Sequence, residues 1–195
     1  MSKDLSSKQR MIDATADLLR RQGYHATGLN QIVREAKAPK GSLYFHFPGG
    51  KEELAVTALA SSSEGIKRDL TAIVMKEPDP RRAVEGVIDY FAKQLESTGY
   101  LAGCPMATVA LEATATSDEL QQVCSRHYAE WQQLVAAYLV TRGFPADSAD
   151  ELATTTLAAF EGGLLLSRAH RNLDPLRAVG RQLSRLVELY LPATD

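Results

Sequence analysis

Side chains that can bind phosphate alternate with apolar ones in the segment KGSLYFHF, which begins at Lys40. Lys40, Ser42 and Tyr44 carry an ammonium group and two hydroxyls, which can donate hydrogen bonds to phosphate oxygens or to base edges. Leu43 and Phe47 are four positions apart, so a helix places both on one face. The segment predicts a short helix that is anchored by one face and contacts nucleic acid with another.

Basic residues are concentrated near the start of the chain. The 195 residues carry a net charge of −2, which by itself argues against a nucleic-acid partner. Residues 1–51, however, contain nine Lys and Arg against four Asp and Glu, a net charge of +5, and the remaining residues carry −7. A basic head on an acidic body is expected when only the head meets phosphate.

The composition, 45% hydrophobic, provides enough apolar material for the core of one or two closely joined domains. The chain has no run of about 18 apolar residues, as a membrane span would require, and its start lacks the apolar segment of a secretory signal. We therefore expect a cytoplasmic protein with no membrane partner. Cys104 and Cys124 are too few for a disulfide framework and are expected to be reduced and buried.

The residues up to the end of KGSLYFHF predict three helices. A first helix over 7–22 ends at Gly23, and a second, about two turns long, begins with Thr27 as its N-cap. After a tight turn, Pro39 opens a third helix through His46, because proline lacks an N–H group and is preset for a first helical position. The second and third helices form a helix-turn-helix.

The rest of the chain also shows helical periodicity, without strand alternation. Its apolar spacing and its Gly and Pro breaks predict helices at about 51–75, 82–97, 104–115, 118–141, 147–171 and 174–191. The predicted fold class is therefore all-α, with about nine helices.

Several features of residues 8–60 occur in a fixed order. They are Gly23-Tyr24, Thr27, Ile32 with Ala36, Lys40 to Phe47, and Lys51 to Leu54. In this order they resemble the TetR family of transcriptional regulators. The resemblance implies a DNA-binding domain of three helices with a helix-turn-helix over 1–51, a connecting helix over 51–75, and a helical ligand-binding and dimerisation domain over 76–195.

Some residues depart from the usual family pattern. Lys37 stands where the family usually has glycine, Pro39 where it often has serine, and the loop 48–50 is one residue longer. Together with the segments 103–106 and 109–112, these departures resemble the LmrA/YxaF-like branch, some of whose members respond to flavonoids or drugs. A left-handed Lys37 would carry strain of about 1 kcal/mol, so Lys37→Gly is expected to raise stability.

The resemblance places the third helix in the major groove of double-stranded DNA. The residues expected to contact DNA are Thr27, Gly28, Lys40, Gly41, Ser42, Tyr44, His46 and Lys51. For Thr27 the alternative is an N-cap without a DNA contact. Leu43 and Phe47 are expected to pack in the core.

One recognition helix reads too few base pairs for useful specificity, so a homodimer on a palindromic operator is expected. The predicted interface comprises Ala159, Gly162, Gly163, Leu176, Val179, Leu183, Leu186 and Tyr190. Two helices from each chain would form a four-helix interface. The alternative is that this stripe packs only within the chain.

Aromatic, sulfur-containing and polar residues in the second part of the chain indicate a pocket for a small hydrophobic ligand. The candidates are Tyr90, Phe91, Cys104, Met106, Glu112, His127, Tyr128, Trp131 and Phe160. The alternative is that residues of these types at helical spacing simply form the core.

The expected function is a ligand-responsive, sequence-specific DNA-binding regulator, a repressor that a drug-like or flavonoid-like inducer releases from its operator. The alternative is a helical dimeric protein that binds a small molecule or a metal but not DNA. No cofactor, metal or catalytic site is predicted, because the sequence lacks a Gly-x-Ser-x-Gly elbow, a phosphate loop and a dinucleotide fingerprint. Cys104 with His127 forms a dyad only if the N-terminal motifs are ignored, and Cys124 with His127 lacks a second ligand pair.

Overall fold

Nine α-helices form the part of the chain that the computed structural model describes, residues 6–39 and 41–190. They are α1 (Ser7–Ala26), α2 (Leu29–Glu35), α3 (Ser42–His46), α4 (Gly50–Val74), α5 (Pro80–Ser97), α6 (Pro105–Ala113), α7 (Asp118–Thr141), α8 (Ala146–His170) and α9 (Asp174–Tyr190). No strand occurs among these residues, so the predicted all-α class is confirmed. Within the same ranges, no helix is both long enough and apolar enough to cross a membrane.

The chain forms two compact units. The first consists of Met1–Gly65 and Cys104–His127, and the second of Ile66–Gly103 and Tyr128–Asp195. These units do not follow the domain boundaries expected from the sequence. The reason is that α6 packs on α1 and so joins the N-terminal helices.

The first unit is held together by large apolar side chains. Its fully buried members are Met11, Leu19, Ile32, Leu43, Phe47, Leu54, Leu59, Met106, Val109 and Leu120. Burying one such side chain contributes about 1.5–3 kcal/mol relative to leaving it exposed. Leu43 and Phe47 are among them, as predicted, and they fix the position of α3, which has only five residues.

α1 bends at Gly23, whose backbone angles, φ 78° and ψ −175°, are accessible almost only to glycine. The carboxylate of Glu112, from α6, occupies the place that a β-carbon at residue 23 would take. The N–H of His25 donates to Oε2 of Glu112 over 3.0 Å, and Nε2 of His25 lies 3.2 Å from the backbone oxygen of Glu112. Gly23 therefore ends the regular part of α1 and also admits the side chain that fastens α6 to it.

In the second unit, α9 packs against both α5 and α8. A β-carbon at Gly163 of α8 would lie 3.1 Å from Cγ2 of Val179. A β-carbon at Gly180 of α9 would lie 2.8 Å from Cγ1 of Ile88 in α5. The two glycines therefore allow these helices to approach closely. A further core cluster of this unit contains Ala83, Ala136, Tyr138, Leu139, Phe144, Ala149, Leu152, Ala153 and Val187.

Gly23→Ala is expected to lower the free energy of unfolding by about 1–3 kcal/mol, because alanine is strained at these backbone angles. Its methyl group would also displace the Glu112 carboxylate from His25. Urea or thermal unfolding measures the difference from the wild-type protein.

Gly65→Ala is the matched control for this substitution. Gly65 lies inside α4 with open space where a β-carbon would be, so alanine there should leave stability unchanged or raise it. Equal stability of Gly23→Ala and the wild type would contradict the account of the bend.

Candidate nucleic-acid interface

α2 ends in a Schellman motif at Lys37. The N–H of Ala38 donates to the oxygen of Val33 over 3.1 Å, and the N–H of Lys37 donates to the oxygen of Arg34 over 3.2 Å. Lys37 has a φ of 48°, a left-handed conformation in which glycine is usual. The left-handed turn considered from the sequence is therefore present.

Arg10 of α1 supports the turn between α2 and α3. Its Nε donates to the oxygen of Ala36 over 2.8 Å, and its Nη2 donates to the oxygen of Lys37 over 3.3 Å. Hydrogen bonds from a charged donor are stronger than those between neutral groups. Two carbonyls at the end of α2 are thus satisfied from α1.

α3 begins at Ser42 and not at Pro39, so the predicted start was wrong. The oxygen of Pro39 accepts hydrogen bonds from the N–H of Ser42 over 3.0 Å and from its Oγ over 2.7 Å. These bonds make Pro39 part of the turn that precedes the helix. Gly41 is the exposed N-cap, and Lys40 lies outside the described residues.

α3 presents two aromatic side chains to solvent. Tyr44 is 63% exposed and Phe45 is 82% exposed, whereas Leu43 and Phe47 are fully buried. This contrast gives the helix an anchored face and a free face. Phe45 was not among the predicted contacts, although its position two residues after Leu43 places it on the opposite side of a helix.

Thr27 is not the N-cap of α2, and the alternative prediction for it was wrong. Its side chain is 1% exposed, and its Oγ1 donates to the oxygen of Gly23 over 2.6 Å. The bend of α1 makes this bond possible. Thr27 is therefore buried away from the surface that a DNA contact requires, and the exposed Gly28 is the N-cap of α2.

His46 links α3 to the start of α1. Its Nε2 lies 2.9 Å from Oγ of Ser7, in a partly buried contact. The ring thereby restricts α3 at the end opposite Gly41.

Lys51, in the first turn of α4, lies against the end of α1. Its Nζ donates to the oxygen of His25 over 3.4 Å and lies 4.3 Å from the centre of the Tyr24 ring. This is a cation–π geometry. Partial burial lowers the pKa of the Lys51 ammonium from its usual value.

Family models match both parts of the chain. Residues 11–58 match the model for bacterial regulatory proteins of the tetR family, and residues 80–182 match the C-terminal domain of LmrA/YxaF-like transcriptional regulators. The chain belongs to the TetR family. The resemblance seen in the sequence, including its branch, is therefore confirmed, and the protein is a DNA-binding transcriptional regulator.

Relatives cover almost the whole TetR-family chain. It is 35% identical over 181 residues to the uncharacterized regulator YxaF of Bacillus subtilis, covering 93% of this chain and 95% of YxaF. It is 36% identical over 170 residues to the regulator LmrA of the same organism, covering 87% and 90%. It is 25% identical over 193 residues to the transcriptional repressor DhaR of Mycobacterium sp., covering 96% and 94%. All three are named as transcriptional regulators or repressors, not as enzymes.

Solved TetR structures share the fold. A TetR regulator from Legionella pneumophila has a TM-score of 0.85 at 21% identity, covering 94% of this chain and 99% of that one. The regulatory protein TetR from Rhodobacter sphaeroides has a TM-score of 0.83 at 22% identity, covering 92% and 97%.

The TetR chain uses part of the predicted dimer stripe internally. Leu176 and Leu183 are 0% and 4% exposed, and Gly163 is buried against Val179. These residues pack α8 onto α9, which was the alternative left open by the sequence, so Leu176, Leu183 and Gly163 are corrected to intrachain contacts. The predicted interface residues that stay at least partly exposed are Ala159, Gly162, Val179, Leu186 and Tyr190.

Other apolar residues of α8 and α9 are exposed and were not predicted at an interface. Leu165, Leu166 and Leu189 are 58%, 49% and 80% exposed. Leu166 is four positions after Gly162, so helical spacing from the predicted stripe could have identified it.

The predicted ligand residues are divided between the two units. In the second unit, the rings of Phe91 and Phe160 are 4.5 Å apart, those of Tyr90 and Phe91 are 4.9 Å apart, and those of Tyr128 and Trp131 are 5.7 Å apart. The indole N–H of Trp131 is buried and has no hydrogen-bond partner among the described residues.

In the first unit, Cys104, Met106 and His127 are buried, while Glu112 holds the bend of α1. Glu112 thus has a structural role that the sequence did not predict, because its contact joins residues 87 positions apart.

The surroundings of Cys124 do not favour metal binding or nucleophilic chemistry. Burial raises the pKa of its thiol to about 11, and its Sγ lies 3.9 Å from the oxygen of Met106. The thiolate, rather than the neutral thiol, is the metal ligand and the nucleophile.

Proposed function

We propose that this TetR-family regulator is a repressor that leaves a palindromic operator when it binds a small hydrophobic effector. The observation that carries the DNA-binding surface is the division of α3 into a buried and an exposed face. A helix anchored in this way can enter the major groove while its support contacts the backbone. The repressor DhaR supports the direction of regulation.

The proposed DNA surface retains most of the predicted contacts. Its members are Gly28, Lys40, Gly41, Ser42, Tyr44 and Lys51. Tyr44 is the strongest of the described candidates, because its side chain is exposed and its neighbour Leu43 already anchors the helix. His46 is assigned instead to positioning α3, since its ring contacts Ser7.

The exposed apolar face of α8 and α9 is the proposed homodimer interface. It consists of Ala158, Ala159, Gly162, Leu165, Leu166, Val179, Leu186, Leu189 and Tyr190. Small residues on α8 would let a helix of the second copy approach closely. Two copies would then present their α3 helices to half-sites about 10 base pairs apart, or a multiple of this spacing.

The proposed effector site includes Trp131. A buried indole N–H without a partner is costly, and an effector that brings a hydrogen-bond acceptor would satisfy it. The aromatic ring of Tyr128 would add an apolar contact for a drug-like or flavonoid-like compound.

Tyr44→Ala is expected to weaken binding to the DNA upstream of the protein's own gene by about tenfold to a hundredfold, because one good base contact is worth about 1–3 kcal/mol. The unfolding midpoint should stay at the wild-type value, since the side chain is exposed. A fluorescence titration with the labelled fragment and a thermal unfolding curve measure the two quantities.

Leu111→Ala serves as the control for Tyr44→Ala. Leu111 is 81% exposed in α6 of the same unit, so its loss should change neither quantity. Wild-type affinity of Tyr44→Ala would remove Tyr44 from the interface, and an absence of salt-dependent binding by the wild type would favour a regulator-like protein that does not bind DNA.

Leu166→Glu is expected to convert a dimer into a monomer, because a carboxylate would be desolvated in the apolar interface. Analytical ultracentrifugation measures the mass. Met75→Glu is the control, since Met75 is 69% exposed and lies outside α8 and α9. A dimer that survives Leu166→Glu would place the interface elsewhere.

Trp131 is the only tryptophan of the chain, so its emission reports on the proposed effector site. Compounds that release the DNA should change this emission over the same concentration range. Trp131→Phe keeps an aromatic ring without the N–H donor and should raise the concentration needed for release by up to about tenfold. Release by compounds that leave the emission unchanged, with Trp131→Phe responding normally, would count against this site.

A further inference from the structure

We propose that Lys37 binds a DNA phosphate, and that the backbone strain at this residue is retained because the side chain is needed for that contact. The proposal rests on the proposed DNA surface around α3. It adds a residue that lies in the turn before α3.

The backbone of Lys37 is already fully used within the unit. Its N–H donates to the oxygen of Arg34, and its own oxygen accepts from Nη2 of Arg10. Glycine would make both bonds equally well and without the cost of a β-carbon at a φ of 48°. Nothing in the Schellman motif itself therefore requires lysine.

The side chain of Lys37 is exposed beside the free face of α3. Pro39 and Gly41, which follow it in the same turn, are exposed as well, and so is Tyr44. Because Arg10 fixes the carbonyls of residues 36 and 37, the Cα of Lys37 has a defined position from which the ammonium can reach the DNA backbone. Strained residues that persist in this way are concentrated at functional sites.

Arg171 provides an internal comparison, because it is a second cation in the same motif. It follows α8 with a φ of 53°. The N–H of Asn172 donates to the oxygen of Ser167 over 3.2 Å, and that of Arg171 to the oxygen of Arg168 over 3.4 Å. Arg171 belongs to the second unit, which lacks the helix-turn-helix.

Lys37→Gly should have opposite effects on folding and on DNA binding. The unfolding midpoint should rise by about 2–4 °C, as expected from relief of the strain in a chain of this size. The affinity for DNA should fall, and the slope of log K against log salt should become shallower by about 0.9, the loss of one phosphate contact. The change in slope should be the same on the gene's upstream fragment and on a random-sequence duplex of equal length, because phosphate contacts carry no sequence information.

Two further variants make the test specific. Arg171→Gly should raise the midpoint to a similar extent and leave the salt slope unchanged. Lys37→Arg should keep the wild-type slope, because it keeps the cation.

A wild-type slope in Lys37→Gly would overturn the phosphate contact, and a midpoint that does not rise would overturn the retained strain. If Tyr44→Ala weakens binding while Lys37→Gly leaves the slope unchanged, only the Lys37 proposal fails. If neither substitution affects binding, the proposed DNA surface fails with it.

Discussion

The burial of Leu43 and Phe47 is the interaction on which the DNA-binding surface depends. α3 has five residues and cannot persist as an isolated helix, because nucleation costs more than so few hydrogen bonds return. Its geometry is therefore set by these two side chains in the core of the first unit. Tyr44 and Phe45 are exposed as a direct consequence, since side chains next to an anchored residue point away from the core.

α1 supports that arrangement at several points along its length. Ser7 contacts His46 near the start of α1, and Arg10 bonds to the turn after α2. At its end, the bend at Gly23 lets α6 attach through Glu112. α1 is thus the element that joins the helix-turn-helix to α6, and a change in α6 would be felt first at the end of α1.

The sequence predicted the helices and the family well, because apolar periodicity, glycine and proline are local signals. It also placed Leu43 and Phe47 in the core. It failed at Thr27, Pro39 and Glu112, where a hydrogen bond to a specific carbonyl or amide decides the role of the residue. Such bonds depend on tertiary placement, which spacing does not reveal. Leu176 was misassigned for a related reason, since an apolar stripe looks the same whether its partner helix lies in the same chain or in another.

Chemical protection of DNA tests the central claim, that the free face of α3 enters the major groove. Dimethyl sulfate methylates guanine N7, which lies in the major groove, and adenine N3, which lies in the minor groove. With the upstream fragment bound, the account predicts protection of guanine N7 in two clusters separated by about 10 base pairs or a multiple of that spacing, with adenine N3 between them still reactive. Protection confined to adenine N3, or reactivity identical to free DNA under conditions of full binding, would contradict it.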